Sequence, residues 1–269
     1  MKKGQATLFI VLGIIIVAVI GVTYYYKDSV FSIAGLGESL SYPSEMDEVA
    51  EYTEDCLDNL AENVVLNISF QAGEYQPDEE LSYYFGLGTY IPYAYYDEEN
   101  HLIEITEMER NMAQAMDDEL ETLCYDQNVY LEEFSLKLGD TETEVTINEE
   151  NVEFVIEFPL SGEAGEGIYD LVNSYDVEVE ARVGYVHSAA SNIIDLSVED
   201  PEYFDLAAIA EQGVDVELLQ MDNFTHVFVI RDDESLGDVM NYTFIFAGSF
   251  PEREVEEDEG LLELIGETE

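Results

Sequence analysis

Cys56 and Cys124 are the only thiols in the chain. Each falls on or beside the apolar face of an expected helix. In an exported protein such a pair is expected to form a disulfide, the alternative being two buried thiols in a helix core. Closing a loop of that length would stabilise the fold by roughly 4 kcal/mol in the chain-entropy model. Metal chemistry is not expected, because His101, His187 and His226 are scattered without ligand spacing. The chain has no Walker-type Gly-Lys-Ser/Thr run, no Gly-x-Ser-x-Gly elbow and no His-Glu-x-x-His helix. It also lacks a twelve-residue calcium loop of the Asp-x-Asp-x-Asp-Gly type. Gly162-Glu163-Ala164-Gly165-Glu166-Gly167 is glycine-rich but acidic, so it would repel phosphate. Glycoside hydrolysis needs two carboxylates, but among 62 acids no pair stands out. No cofactor and no catalytic residue is assigned.

Tyrosines supply the most distinctive pattern. Tyr83, Tyr84, Tyr90, Tyr93, Tyr95 and Tyr96 fall within fourteen positions, interleaved with Phe85, Gly86 and Gly88. A tyrosine ring offers an apolar face and a hydrogen-bonding tip, which suits contact with a sugar or a protein. Ordinary strand packing, with hydroxyls reaching solvent, is the alternative. Met108, Met112 and Met116 form a helical stripe expected in the core. Three glycosylation acceptor sequences occur, at Asn67-Ile68-Ser69, Asn223-Phe224-Thr225 and Asn241-Tyr242-Thr243.

The charge balance is extreme: 62 Asp and Glu against 8 Lys and Arg in 269 residues. Lys2, Lys3 and Lys27 lie in or beside the N-terminal apolar segment, leaving five bases for everything after it. Such a domain repels itself, and concentrated salt relieves the repulsion: the screening length is about 10 Å at ~0.1 M and about 3 Å at ~1 M. The acids are interleaved with Val, Ile, Phe and Tyr, so the expectation is a folded, salt-adapted surface and not a disordered tail. Nucleic acid is not an expected partner, since binding it requires clustered Lys and Arg.

Residues 6–26 carry no charge. As a helix at ~1.5 Å per residue they would span roughly 31 Å, which matches a bilayer core of about 30 Å. Tyr24, Tyr25 and Tyr26 stand where an interfacial belt belongs, and Lys2 and Lys3 hold the N-terminus in the cytoplasm. Lys2-Lys3-Gly4-Gln5-Ala6-Thr7 followed by this apolar run resembles the class III, type IV prepilin-like leader of archaeal pilins and archaellins. It is also similar to the leader of surface proteins in small-genome archaea, halophilic ones included. The resemblance covers about a tenth of the chain and implies cleavage by a prepilin-type peptidase between Gly4 and Gln5. It further implies that the retained helix can pack the core of a filament. Many type IV pilins carry Glu five residues after the cut. Phe9 stands there in this chain, and archaellins also lack the Glu.

The elements that must position these residues follow from periodicity. Residues 1–4 read as leader, 5–27 as the transmembrane or pilin-like helix, and 28–44 as a linker with Gly35, Gly37 and Pro43. Residues 45–250 read as an extracytoplasmic domain, and 251–269 as an acidic tail. One amphipathic helix is expected from Met46 to Val65, and a second from Ile105 to Cys124. Residues 81–96 read as strands or a hairpin, and Val145–Phe158 as a hairpin about a turn at Asn148–Asn151. Residues 161–167 read as an acidic loop, and 177–185 as a half-buried strand. Residues 189–198 and 202–210 read as short helices, and 214–219, 225–230 and 242–250 as closing strands. The class is α+β: one N-terminal transmembrane helix, then a domain with two amphipathic helices and antiparallel sheet.

The functional expectation is a non-enzymatic, cell-surface pilin-like or adhesive protein. Its partners would be the membrane through residues 6–26, other copies of itself in a filament, or other envelope proteins. A solitary anchored module binding a sugar or envelope component is the second reading, and an anchored hydrolase the third.

Overall fold

The computed structural model describes residues 44–126, 134–164, 167–171, 173–201, 206–235 and 242–251. The leader junction at Gly4 and Gln5, the apolar segment, the linker and the acidic tail from residue 252 lie outside the described residues. So does Asn241.

Apolar side chains recur every three or four positions from Met46 onward, and they wind into α1 (Ser44–Ser69). Its buried stripe is Met46, Val49, Leu57, Leu60/Ala61, Val64/Val65 and Ile68. Helix α2 (Ile105–Leu120) buries Met108, Met112, Ala115, Met116 and Leu120, so the methionine stripe is core. A π-turn over Glu121–Asp126 extends it and turns Cys124 and Tyr125 inward. Cys56 on α1 is bonded there to Cys124, with Cα atoms 5.9 Å apart. Around this clasp the Tyr52 hydroxyl donates to the Cys124 carbonyl at 2.7 Å, and Thr53 Oγ1 lies 2.9 Å from Tyr125 Oη.

The tyrosine-rich segment forms β1 (Ser82–Gly86) and β2 (Thr89–Tyr96), followed by the two-residue β3 (Glu99–Asn100). Next come β4 (Lys137–Leu138), β5 (Glu142–Ile147) and β6 (Val152–Glu157). Then follow β7 (Leu160–Ala164), β8 (Gly167–Asp170) and β9 (Ser174–Val179). Helices α3 (Val183–Glu199) and α4 (Leu206–Ala210) precede β10 (Asp215–Gln220), β11 (Thr225–Asp232) and β12 (Tyr242–Ser249). The described fold is therefore α+β.

The large sheet has the order β1-β2-β12-β11-β10, with β3 beside β2. Its pairs are antiparallel except β12 with β2, which run parallel through Ala247↔Tyr93 and Gly248↔Tyr95. That pair departs from the purely antiparallel expectation, because β2 and β12 come from opposite ends of the domain and are joined by no hairpin. One face of the sheet carries Tyr242, Phe244, Phe246, Phe228 and Ile230. Helix α1 meets it where Ser69 Oγ lies 2.7 Å from Tyr242 Oη, and α3 where His187 stands edge-on to Phe244. The other face holds a second cluster of Ile91, Val227, Val229 and Ala247, flanked by Tyr83, Tyr93, Leu219, Met221 and Ile245. Two three-stranded sheets, β5-β6-β9 and β4-β7-β8, complete the fold.

The structure corrects three expectations. The strand expected over 177–185 ends at Val179, and α3 begins at Val183. The buried positions Val183, Val186, Ala189/Ala190, Ile193/Ile194 and Ser197, all but the last apolar, follow helical spacing, and this outweighs the short alternation before them. Gly184 permits the turn to pack tightly, since a Cβ there would stand 2.6 Å from the Asn148 carbonyl oxygen. The short helix expected over 189–198 is thus only the second half of α3. The acidic glycine loop of 161–167 is largely strand: Ser161 pairs with Asp170, and Ala164 with Gly167. Gly162 sits against the ends of the Leu136 and Met46 side chains, which would have to shift to admit a Cβ, the nearest atom being 2.9 Å from it. Of the expected helix 202–210, residues 206–210 are helical, and 202–205 lie outside the described residues.

Candidate functional site

A two-residue turn closes β1 onto β2. Leu87 and Gly88 both adopt positive φ, 53° and 85°, the mirror-image turn that matches strand twist. Glycine accepts that geometry freely, whereas leucine is strained in it. Leu87 is also fully in solvent, at 105% of its reference exposure. Beside it Phe85, Tyr84 and Leu81 are exposed as well. Residues 82–96 contain no charged side chain, in a chain where charged residues make up 26%. The hairpin is therefore an uncharged, aromatic surface on a polyanionic domain.

The six tyrosines divide by position. Tyr84 and Tyr90 face each other across the hairpin, with ring centroids 5.3 Å apart. Tyr83 and Tyr93 are half-buried against the second sheet cluster, and Tyr93 Oη lies 3.3 Å from Thr225 Oγ1. Tyr95 is 1% exposed and stacks on Phe250 at 4.6 Å, so its ring packs the interior and offers no contact surface. Tyr96 is exposed at the end of β2, 6.0 Å from the Tyr93 ring.

Tyr93 and Tyr96 wall a cleft of about 350 Å³, completed by Glu74, Leu81, Asp97, Glu99 and His101. Its acidic and imidazole groups come from residues 97–101 and from the segment after α1. The β2–β3 turn supplies Asp97, and β3 supplies Glu99. Asp97 and Glu98 take positive φ, 54° and 62°. His101 follows directly, its Nε2 lying 3.1 Å from the Tyr96 carbonyl and its amide donating to the Ala94 carbonyl at 2.8 Å. Glu74 arrives from the segment after α1, where Ala72, Gly73 and Gln76 have φ of 53°, 93° and 99°. Gly73 takes the left-handed φ that favours glycine, with the end of the Ile103 side chain 2.9 Å from where a Cβ would stand. Burial, together with the charge of Asp78, holds the Glu74 carboxyl above its ordinary pKa. Glu74 also lines a neighbouring cleft of about 310 Å³ with Tyr75, Asn111 and Gln114.

The sequence marks Glu74, Asp97 and Glu99 for no role, and His101 only as one of three histidines without ligand spacing. Among so many carboxylates nothing local distinguishes them, and only the return of the chain after α1 gathers them. Among the described residues no His, Cys, Asp or Glu group has a metal-holding arrangement. His187 is occupied structurally: its Nε2 lies 2.7 Å from the Ile103 carbonyl, and burial lowers its pKa.

Two of the acceptor asparagines can be placed. Asn67 is exposed on the last turns of α1, yet its partner Ser69 is buried against Tyr242. Asn223 is exposed in the β10–β11 turn, where Asp222 Oδ1 accepts the Phe224 and Thr225 amides at 2.8 and 2.7 Å.

Among the described residues no helix is long and apolar enough to cross a membrane. Comparison with protein-family models, with curated proteins and with solved structures returned no match.

Proposed function

We propose that this protein is a membrane-anchored adhesive protein of the cell surface, pilin-like in its leader and non-enzymatic. Residues 6–26 hold it in the bilayer after a prepilin-type peptidase cuts between Gly4 and Gln5. The domain beyond them faces a saline exterior and makes its contacts through the 82–96 hairpin. The observation that carries this reading is the exposure of Leu81, Tyr84, Phe85 and Leu87 on a segment free of charge. In concentrated salt, charge–charge attraction is screened within a few ångströms, about 3 Å at ~1 M, while apolar contact persists. An adhesive surface in brine is therefore best built from aromatic and apolar side chains. Leu87 strengthens the case: an exposed leucine in a left-handed turn is unfavourable on both counts, as expected of a residue retained for contact. The cysteine bond supports an oxidising exterior.

The test is the N-terminal residue of the mature native protein, read with membrane fractionation and electron microscopy. The expected result is a start at Gln5 in the membrane fraction, with the domain on the outer face, in filaments or as single anchored copies. A soluble cytosolic protein starting at Met1 would overturn the reading. Leu87→Asp with Phe85→Asp should leave anchoring intact and abolish cell-surface contact.

A second reading, a solitary anchored binding module, is favoured by the Tyr93–Tyr96 cleft.

A further inference from the structure

We infer that the cleft walled by Tyr93 and Tyr96 binds an organic ammonium group. This rests on the binding-module reading and names its ligand class. Two tyrosine rings stand 6.0 Å apart at an interplanar angle of 44°, with Leu81 beside them. The negative face of an aromatic ring attracts a cation that comes within about 6 Å of its centroid. The cleft volume, about 350 Å³, suits a small ligand.

Charge decides between ligand classes. The polar lining consists of Glu74, Asp97, Glu99 and His101, with no Lys or Arg. An anionic ligand is therefore repelled. A neutral sugar could stack on the rings but would leave three carboxylates without a counter-charge. An alkylammonium uses both features, the rings through their π faces and the carboxylates through charge. Inorganic cations have the carboxylates available all over this surface, but the rings favour a weakly hydrated organic ion. Strain also gathers here. Ala72, Gln76, Asp97 and Glu98, four of the six non-glycine residues with positive φ in the described chain, lie within two residues of a group lining this cleft.

The experiment uses the full-length chain in detergent micelles and equilibrium dialysis at about 1 M KCl, where the general counter-ion atmosphere is compressed to about 3 Å. The probes are tetramethylammonium, Nα-acetyl-lysine amide and methyl glucoside. The first two distinguish a quaternary from a primary ammonium. The expected result is saturable binding of one equivalent of an ammonium probe. Tyr96→Ala and Glu99→Gln should each weaken it by about tenfold or more, while Glu163→Gln on β7 leaves it unchanged. Circular dichroism of each variant separates lost binding from lost fold, and Tyr96→Phe should retain most of the affinity if the ring face is what binds. The inference is overturned if neither ammonium probe saturates, or if Glu163→Gln weakens binding as much as Glu99→Gln. Saturable binding of methyl glucoside alone would also overturn it while sparing the module reading. The adhesive reading stands or falls separately, on the mature N-terminus and the hairpin variants.

Discussion

Arg182 reaches from the start of α3 to Asp232 at the end of β11, placing its Nη2 3.2 Å from the carboxylate of a residue only 2% exposed. Ser235 ties the same corner together: its hydroxyl donates to Asp232 and accepts the Arg182 amide at 2.9 Å. Glu234 closes on the other side of the guanidinium, which also lies 4.3 Å above the Tyr185 ring. Among the described residues each of the four bases, Arg110, Lys137, Arg182 and Arg231, is paired with acid. Only the Arg182 pair is buried. Removing one partner of a buried pair strands the other charge, so Arg182→Leu is expected to destabilise the fold by about 3–5 kcal/mol. Adding Asp232→Asn should recover part of that loss. Urea unfolding at low and high salt checks it: the loss from Arg182→Leu should persist in high salt, whereas exposed pairs should lose what little they contribute.

The bond between Cys56 and Cys124 closes a loop with a sequence separation of 68 and joins α1 to the end of α2. The double variant Cys56→Ser, Cys124→Ser is expected to lose about 4 kcal/mol in the chain-entropy model. Thermal unfolding with and without reductant should show the wild type falling to the level of the double variant. Equal midpoints in oxidised and reduced protein would remove the bond from the stability account.

Several carboxyls are expected to make the protein more stable in mild acid than at neutral pH. Burial raises Glu74, Asp117 and Glu119 above their ordinary values of 4.5, 3.8 and 4.5. Such groups hold a proton more tightly in the folded protein than in the unfolded chain, so folding takes up protons. Their contribution is complete below the ordinary values and is lost as pH rises through the raised ones. Glu74→Gln with Asp117→Asn should flatten that limb of a stability–pH curve. Asp222 acts oppositely. The Phe224 amide, then that of Thr225, holds it below its ordinary 3.8, so its contribution disappears only in stronger acid. At the alkaline end Tyr125, pushed up to about 12 by burial, contributes stability that fades above an ordinary tyrosine pKa of 10.0.

Among the described residues the buried Tyr95 hydroxyl has no hydrogen-bond partner. Tyr95→Phe keeps the stacking on Phe250 and removes the unsatisfied group. It should be neutral or stabilising by about 1 kcal/mol, measured by chemical denaturation. A clear loss of stability would mean that the hydroxyl has a partner outside the described residues.

Leu87→Gly should relieve the left-handed strain in the hairpin turn and raise stability by about 0.5–1 kcal/mol. The same change should weaken surface adhesion, since the exposed side chain is removed. A stabilised protein that still adheres fully would strip Leu87 of its contact role.

How much of this was legible beforehand depended on how local each signal is. The apolar stripes of α1 and α2 and the hairpin at Asn148–Asn151 were readable, because 3.6- and 2-residue periods are written in neighbouring residues. The length of α3 is not legible where Val177 to Val183 alternate like a strand, since a short alternation and a helix entrance share residues. The β7–β8 strands were hidden because Gly162 looks like a loop residue until Met46 and Leu136 are packed against it.

The sequence alone determined the composition-level properties of this protein. They are its polyanionic surface, its charge-free tyrosine segment and a helical core able to bring two cysteines onto facing stripes. Each depends on residue type and short-range spacing. Only the tertiary structure decided which tyrosine is buried, which carboxylates share a cleft, and that β2 lies parallel to β12. Those facts depend on contacts between segments far apart in the chain, and 62 nearly equivalent acids carry no local mark of which ones folding will bring together.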